Sequence, residues 1–155
     1  MAYRISGLSP EPFAGLFGLS DEELAARGAV RMTADKKPGY PCRVTLEDAE
    51  PGEVVILVNH VSQPAATPFR ASHAIFVREG VGEPSIYVDA LPPVFDTRTI
   101  GLRGFDADGM LRDGLLALPG EADAKIRILF EKAEIASIHA HTATYGCFVA
   151  HVERN

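Results

Sequence analysis

The sequence predicts an α+β protein: a largely antiparallel β-sheet with two or three helices packed on it. Three observations lead there. Short β-branched or alternating apolar runs recur along most of the chain, and glycine (14) and proline (11) cut them into brief segments. Turn residues separate neighbouring runs at hairpin spacing, as in Asp106-Ala107-Asp108-Gly109. Helical patterning is confined to a few places, two of them well marked.

Taken in order, residues 3–8 read as a strand. Ser9-Pro10 opens a helical turn that puts Phe13, Leu16 and Phe17 on one face and stops at Gly18. Ser20 with Glu23 forms a capping box, Leu19 and Leu24 fit a hydrophobic staple, and Gly28 stands where a C-cap belongs, so a helix of about two turns follows. From Ala29 onward the pattern is mostly β. Val30/Met32 and Val44/Leu46 alternate, residues 53–60 form a β-branched run suited to a central strand, and residues 48–52 are expected to join the last two as a hairpin. Residues 59–72, with Pro64 and Pro68, read as a long loop of the kind that often carries function. Residues 73–78 and 85–89 are further strands. Residues 99–105 and 110–116 flank the 106–109 turn, and pairing Asp106 with Met110 would place Arg103 opposite Asp113 as a salt bridge. Residues 121–132 form the longest helix, with Ala122, Ile126, Leu129, Phe130 and Ala133 on one face.

Residues 135–142 and 147–153 close the chain as a hairpin. A loop Thr144-Tyr145-Gly146, with Gly146 left-handed, pairs Ala143 with Cys147, His141 with Val149 and His139 with His151. One face then carries Ile138, Ala140 and Thr142 against Phe148, Ala150 and Val152, and the other gathers His139, His141, His151 and Cys147. A register shifted by one residue would mix histidines with Phe148 and Val152, so the apolar pattern favours the first choice.

Length and charge bound the function. At 155 residues the chain fits one globular domain spanning 1–155, which should bury roughly 70% of its unfolded surface. Lys plus Arg is 15 against 21 for Asp plus Glu, a net charge of −6, and no basic stripe appears, which argues against nucleic acid as a partner. The longest apolar run, residues 54–58, is far short of the roughly 20 that span a bilayer, so no membrane partner is expected. Without an apolar leader a cytoplasmic location is expected, with both cysteines reduced. Several formal motifs fail on spacing. The 106–109 turn lacks the glycine and glutamate positions of a calcium loop, Gly101-Leu102-Arg103-Gly104 lacks the context of a dinucleotide loop, and no nucleophile elbow or phosphate-loop lysine is present.

Tyr40-Pro41-Cys42-Arg43, the Leu46-Glu47-Asp48-Ala49 turn, Pro68-Phe69-Arg70-Ala71-Ser72, Phe76-Val77-Arg78, His139-x-His141 and Gly146-Cys147 together resemble the domain of unknown function 1203 family. Its members are small bacterial proteins of similar length. The resemblance spans nearly the whole chain and implies a bacterial source; it implies no reaction, cofactor or catalytic residue.

The candidate site therefore comes from side-chain chemistry. Arg70 and His73 flank Ser72 at the end of the proline-rich loop, and Arg78 and Arg103 fall in or beside apolar strands. Arg70, Arg78 and Arg103 read as a basic pocket suited to gripping a carboxylate or phosphate, or each as half of a salt bridge, and Arg70, His73 and Arg78 are the candidate ligand-binding residues. Arg70 is expected to point inward, because Phe69 and Ala71 flank it. His139 or His141 would move a proton, and Cys147, following Gly146 near the histidines, is the candidate nucleophile. Cys42 reads as a buried structural thiol behind Pro41. The best reading is a small-ligand-binding protein or cysteine/histidine enzyme acting on an anionic small molecule. Two alternatives stand beside it: a partner-binding module or homodimer using apolar surface near Phe13 and Phe17, and a metal-dependent enzyme using the His139-x-His141 pair, although no acidic ligand follows it and no metal ligand is assigned. The cofactor is left open.

Overall fold

The computed structural model describes residues 1–155. Nine strands and three short helices form two antiparallel sheets. In chain order they are β1 (Tyr3–Ser6), α1 (Glu11–Ala14), α2 (Asp21–Ala26), β2 (Val30–Thr33), β3 (Val54–Gln63), β4 (Ala71–Arg78), β5 (Ile86–Val88), β6 (Ile100–Phe105), β7 (Leu111–Ala117), α3 (Ala122–Phe130), β8 (Ser137–Thr142) and β9 (Phe148–Arg154). Six strands form one sheet in the order β5-β1-β9-β8-β6-β7, and β2-β3-β4 form the other. The fold is the α+β arrangement expected from the pattern.

The main core lies between the large sheet and α3. Ala122, Ile126, Leu129 and Phe130 recur at helical spacing and meet Ile100, Leu102, Ile138, Ala140, Ala150 and Val152 from alternate positions of β6, β8 and β9. Helix α2 begins as its cap predicts: the Ser20 side chain accepts from the Glu23 backbone N–H, and Glu23 reaches back to the Ser20 N–H. Its Leu24 packs with Leu16, Ala29 and Ile56, while Phe13 of α1 joins Cys42, Val44, Ile75 and Val77 beneath the small sheet.

Three expectations are corrected. Val44 and Leu46 are not strand residues. The Leu46 N–H closes a turn onto the Cys42 carbonyl at 2.9 Å, with Leu46 itself at a left-handed φ of 57°, so the expected 48–52 hairpin does not form. The reason is tertiary: Leu46 enters the main core, whereas Val44 turns to the smaller one, and the chain must bend between them. The long loop is shorter than residues 59–72, because β3 runs on to Gln63 and β4 begins at Ala71. Asn59 and Ser62 disguise the continuing alternation.

The third correction concerns register. In the terminal hairpin His139 faces His151 as expected, and Gly146 is left-handed at φ 74°. The loop, however, is one residue longer, with the Thr142 N–H donating to the Cys147 carbonyl. A bulge at Val149 absorbs the difference, so that Ala140 pairs with Ala150 but His141 pairs with Phe148. Val149 therefore joins the main core in place of Phe148. A similar bulge at Arg112 places Gly114, not Asp113, opposite Arg103. Asp113 pairs with Lys132 instead, and Asp106 with Arg112.

Candidate functional site

On β8, the residues between Ile138 and Ala140 and beyond them point away from α3. His139 and His141 thus face the small sheet, and Arg103 of β6, His139 of β8 and His151 of β9 stand abreast as directly paired residues. The Val149 bulge turns Phe148 onto this same face, where its ring lies edge-on to His139 at 5.6 Å and His141 at 5.8 Å. The small sheet closes over it. Its inner face runs from Ile56 and Val77 through Val58 and Ile75 to the directly paired His60 and His73. The His73 ring lies 5.0 Å from that of His141, and His60 lies 5.7 Å from Phe148. All five histidines of the chain therefore meet between the sheets.

A third bulge sits at the open end of this layer. Val61 pairs with Ser72 and Gln63 with Ala71, leaving Ser62 as the extra residue of β3. Its Oγ lies 3.2 Å from His73 Nδ1 and 3.4 Å from the Ala71 carbonyl. Beside it, the β6–β7 turn is clasped to residues 64–70: Thr67 Oγ1 donates to the Gly109 carbonyl at 3.1 Å. Gly109 has φ +84°, and a Cβ there would stand 2.4 Å from Ala65 Cβ, so only glycine permits the clasp. The result is a cleft of about 420 Å³ lined by Ser62, Gln63, the 106–109 turn, Ser137, His139 and His151.

Burial governs the electrostatics. His139 is 5% exposed, its Nδ1 has no hydrogen-bond partner, and desolvation aided by His151, His141 and Arg103 pushes its pKa down to about 3. His141 is 2% exposed and lowered to about 4, again chiefly by burial, with Arg103, His73 and Arg43 adding to it. The carbonyl of Gly146 lies 2.9 Å from His141 Nδ1; a carbonyl only accepts, so Nδ1 carries the proton and Nε2 keeps its lone pair. Burial also lowers His60, His73 and His151. The imidazoles are therefore neutral.

Two arginines complete the layer. Arg43, 3% exposed, ties the sheets together: its backbone N–H donates to the Phe76 carbonyl, its Nε to the Phe148 carbonyl at 2.9 Å, and its Nη1 to the Pro41 carbonyl at 2.7 Å. No carboxylate pairs with it, and burial lowers its pKa to about 10. Arg103, half-buried, forms no ion pair, having lost Asp113 to the Arg112 bulge.

Of the residues expected from sequence, His73, His139 and His141 come together here. Cys147 lies half-buried at the adjoining hairpin tip, within electrostatic range of Arg43. Arg70 does not point inward: it is exposed, and its Nη1 donates to the Pro64 carbonyl at 2.6 Å, because the shortened loop turns it outward. Arg78 lies at the far end of β4, opposite Val55, and pairs with Glu53 at 3.5 Å. Cys42 is buried, its sulfur accepting from the Arg78 N–H. The apolar surface expected near Phe13 and Phe17 is largely consumed by packing, with Phe13 buried and Phe17 half-buried. No three His, Cys, Asp or Glu side chains converge in a way that could hold a metal ion. The sequence pattern does not single out His60, Ser62 or Arg43 as members of the layer, and it leaves Arg103 open between a pocket cation and a salt bridge with Asp113. Only the alternation of His60 and Ser62 with the inward Ile56 and Val58 could have pointed to the first two.

A family model described as protein of unknown function (DUF1203) matches residues 39–154. The matched span holds every histidine, both cysteines, Ser62, Arg43 and Arg103. No curated protein and no solved structure matches the chain.

Proposed function

The chain belongs to the DUF1203 family, and we propose that its histidine-lined cleft binds a small molecule bearing a carboxylate or phosphate and exchanges a proton with it. Arg103 grips the anion. His73, a half-buried imidazole of the layer, exchanges the proton, while the deeply buried His139 and His141 stay neutral beside the anion and Cys147 flanks them at the hairpin tip. One observation carries this reading: Arg103 stands unpaired among imidazoles, and the charged groups that bear most on His139, His141 and His73 are other imidazoles and arginines. A chain of net charge −6 has carboxylates to spare, yet none forms an ion pair with Arg103 or Arg43; Glu153 and Asp48, which act on His151 and Arg43, are themselves paired with Arg4 and Arg98. Asp106 reaches only the rim and is engaged by Arg112. The unpaired Arg103 suits an incoming anion.

Thermal unfolding at neutral pH, with a panel of small mono- and dicarboxylates and phosphate esters, tests the reading. At least one class should raise the melting temperature, by the equivalent of about 2.7 kcal/mol at a hundredfold excess over its Kd. The rise should be absent in Arg103→Gln. No response from any class, or an equal response in Arg103→Gln, would overturn it.

A further inference from the structure

We propose that Ser62 is a nucleophile with His73 as its general base, and that the cleft hydrolyses a small anionic ester or thioester. This deepens the anion-binding reading and rests on it for the recognition of substrate.

The placement of Ser62 is the first support. Within an otherwise regular pairing of β3 with β4, the residue left over by the bulge is the one that bears the hydroxyl, and it lines the cleft. A bulge re-aims a side chain at the cost of ladder hydrogen bonds, and such features gather beside active sites. The second support is the contact itself. Ser62 Oγ is nearer to His73 Nδ1, at 3.2 Å, than to its competing acceptor, the Ala71 carbonyl at 3.4 Å. These separations fall at the loose end of the nucleophile–base range, as is common without substrate.

The surroundings of His73 keep it unprotonated. It is half-buried, faces the His141 ring and its cross-strand partner His60, and has Arg103 and Arg43 as its main charged neighbours. No carboxylate is among the groups that shift it, so the ring is held in the form that accepts a proton from a hydroxyl. Beyond Ser62 the cleft is bordered by His139, nine-tenths buried and with Nδ1 unpartnered within the protein. A polar atom desolvated in this way marks a place for a ligand atom.

The chemistry balances without any further reagent except water. Ser62 Oγ bonds to the carbonyl carbon while its proton passes to His73 Nδ1, and the carbonyl π pair moves onto oxygen. Collapse of the tetrahedral adduct breaks the bond to the leaving alcohol or thiol, which takes the proton from His73. Water then attacks the acyl group, gives a proton to His73, and releases the acid as Ser62 Oγ recovers its hydrogen. Arg103 holds the substrate's separate anionic group.

The test is covalent labelling of the intact chain with phenylmethanesulfonyl fluoride, read by intact mass and peptide mapping. An Oγ–sulfur bond forms, fluoride leaves, and the proton exits through His73. One adduct is expected on Ser62, with none at that peptide in Ser62→Ala. In His73→Gln with an unchanged melting curve, labelling should slow at least tenfold, since a positioned base contributes about 10²–10⁴-fold. In the wild type the rate should fall on acidification only below the ordinary histidine value of 6.5. As a second readout, para-nitrophenyl acetate should release nitrophenolate in a burst that Ser62→Ala lacks. Absence of both the Ser62 adduct and the burst, or equal labelling in His73→Gln, overturns the proposal. If anions still raise the melting temperature through Arg103, only the nucleophile falls; if Ser62 labels but no anion stabilises, only the anion reading falls.

Discussion

On one face of the six-stranded sheet, Ile138, Ala140, Ala150 and Val152 meet Ile126 and Leu129 of α3, and nothing polar intrudes between them. On the other, the alternate residues of the same strands, His139, His141, His151 and Arg103, meet His60, His73 and Ser62 from the small sheet. Both faces are covered, but the second opens at one end into the cleft. The first gains free energy from every side chain it hides. The second desolvates imidazoles, leaves His139 Nδ1 without a partner and strands a cation. Side chains that reduce stability while lining a cleft mark where a fold has given up stability for chemistry.

The largest expected effect breaks the apolar face. Leu129→Ala removes a fully buried side chain from that core, and urea denaturation should show a loss of about 2–5 kcal/mol with no change in anion response.

The next effect belongs to the histidine face alone. His139 and His141 have folded-state pKa values of about 3 and about 4, both below the ordinary 6.5. Their contribution is therefore complete above 6.5 and is lost as pH falls, because the unfolded chain takes up protons that the folded one refuses. Each should remove about 1.4 kcal/mol per unit of pH between 6.5 and its folded value. Carboxylates held low in the folded state, such as Asp48, Asp106 and Asp123, add their own acid sensitivity only near and below their ordinary 3.8. Unfolding free energies between pH 6.5 and 4.5 should thus show a steep slope that Leu129→Ala keeps and His139→Gln reduces by roughly half of that pair's share. A flat profile would mean that the imidazoles are solvated.

The smallest effect has an unusual sign. Arg103→Met replaces an unpaired, half-buried cation by an apolar chain of similar length. Chemical denaturation should show a gain of about 0.5–2 kcal/mol, accompanied by loss of anion stabilisation. A loss of stability would mean that Arg103 serves the fold.

The cleft was only half legible beforehand. His139 and His151 could be placed on one face because alternation along a strand is local, and the surrounding Ile138, Ala140 and Val152 tolerate no other choice. The neighbours Phe69 and Ala71 point Arg70 inward, but the loop is shorter than the pattern implies and its backbone turns the guanidinium to the Pro64 carbonyl. The salt-bridge reading of Arg103 with Asp113 presumes a regular ladder beyond the 106–109 turn, which the bulge at Arg112 breaks.

Local sequence is enough for the α+β class, the capped helix α2, the amphipathic helix α3, the turns at Gly109 and Gly146, and the pairing of His139 with His151. Each is written in periodicity or in a few adjacent residues, where propensity, capping and side-chain alternation act over single turns and strands. Long-range packing is what sets His60, His73 and Ser62 against His139 and His141, and turns Phe148 toward them while Val149 takes its place in the core. Those outcomes depend on two bulges, at Ser62 and Val149, and on the closing of one sheet over another. A bulge is stabilised by what the displaced side chains meet across the sheets, residues distant in sequence whose packing no local pattern encodes.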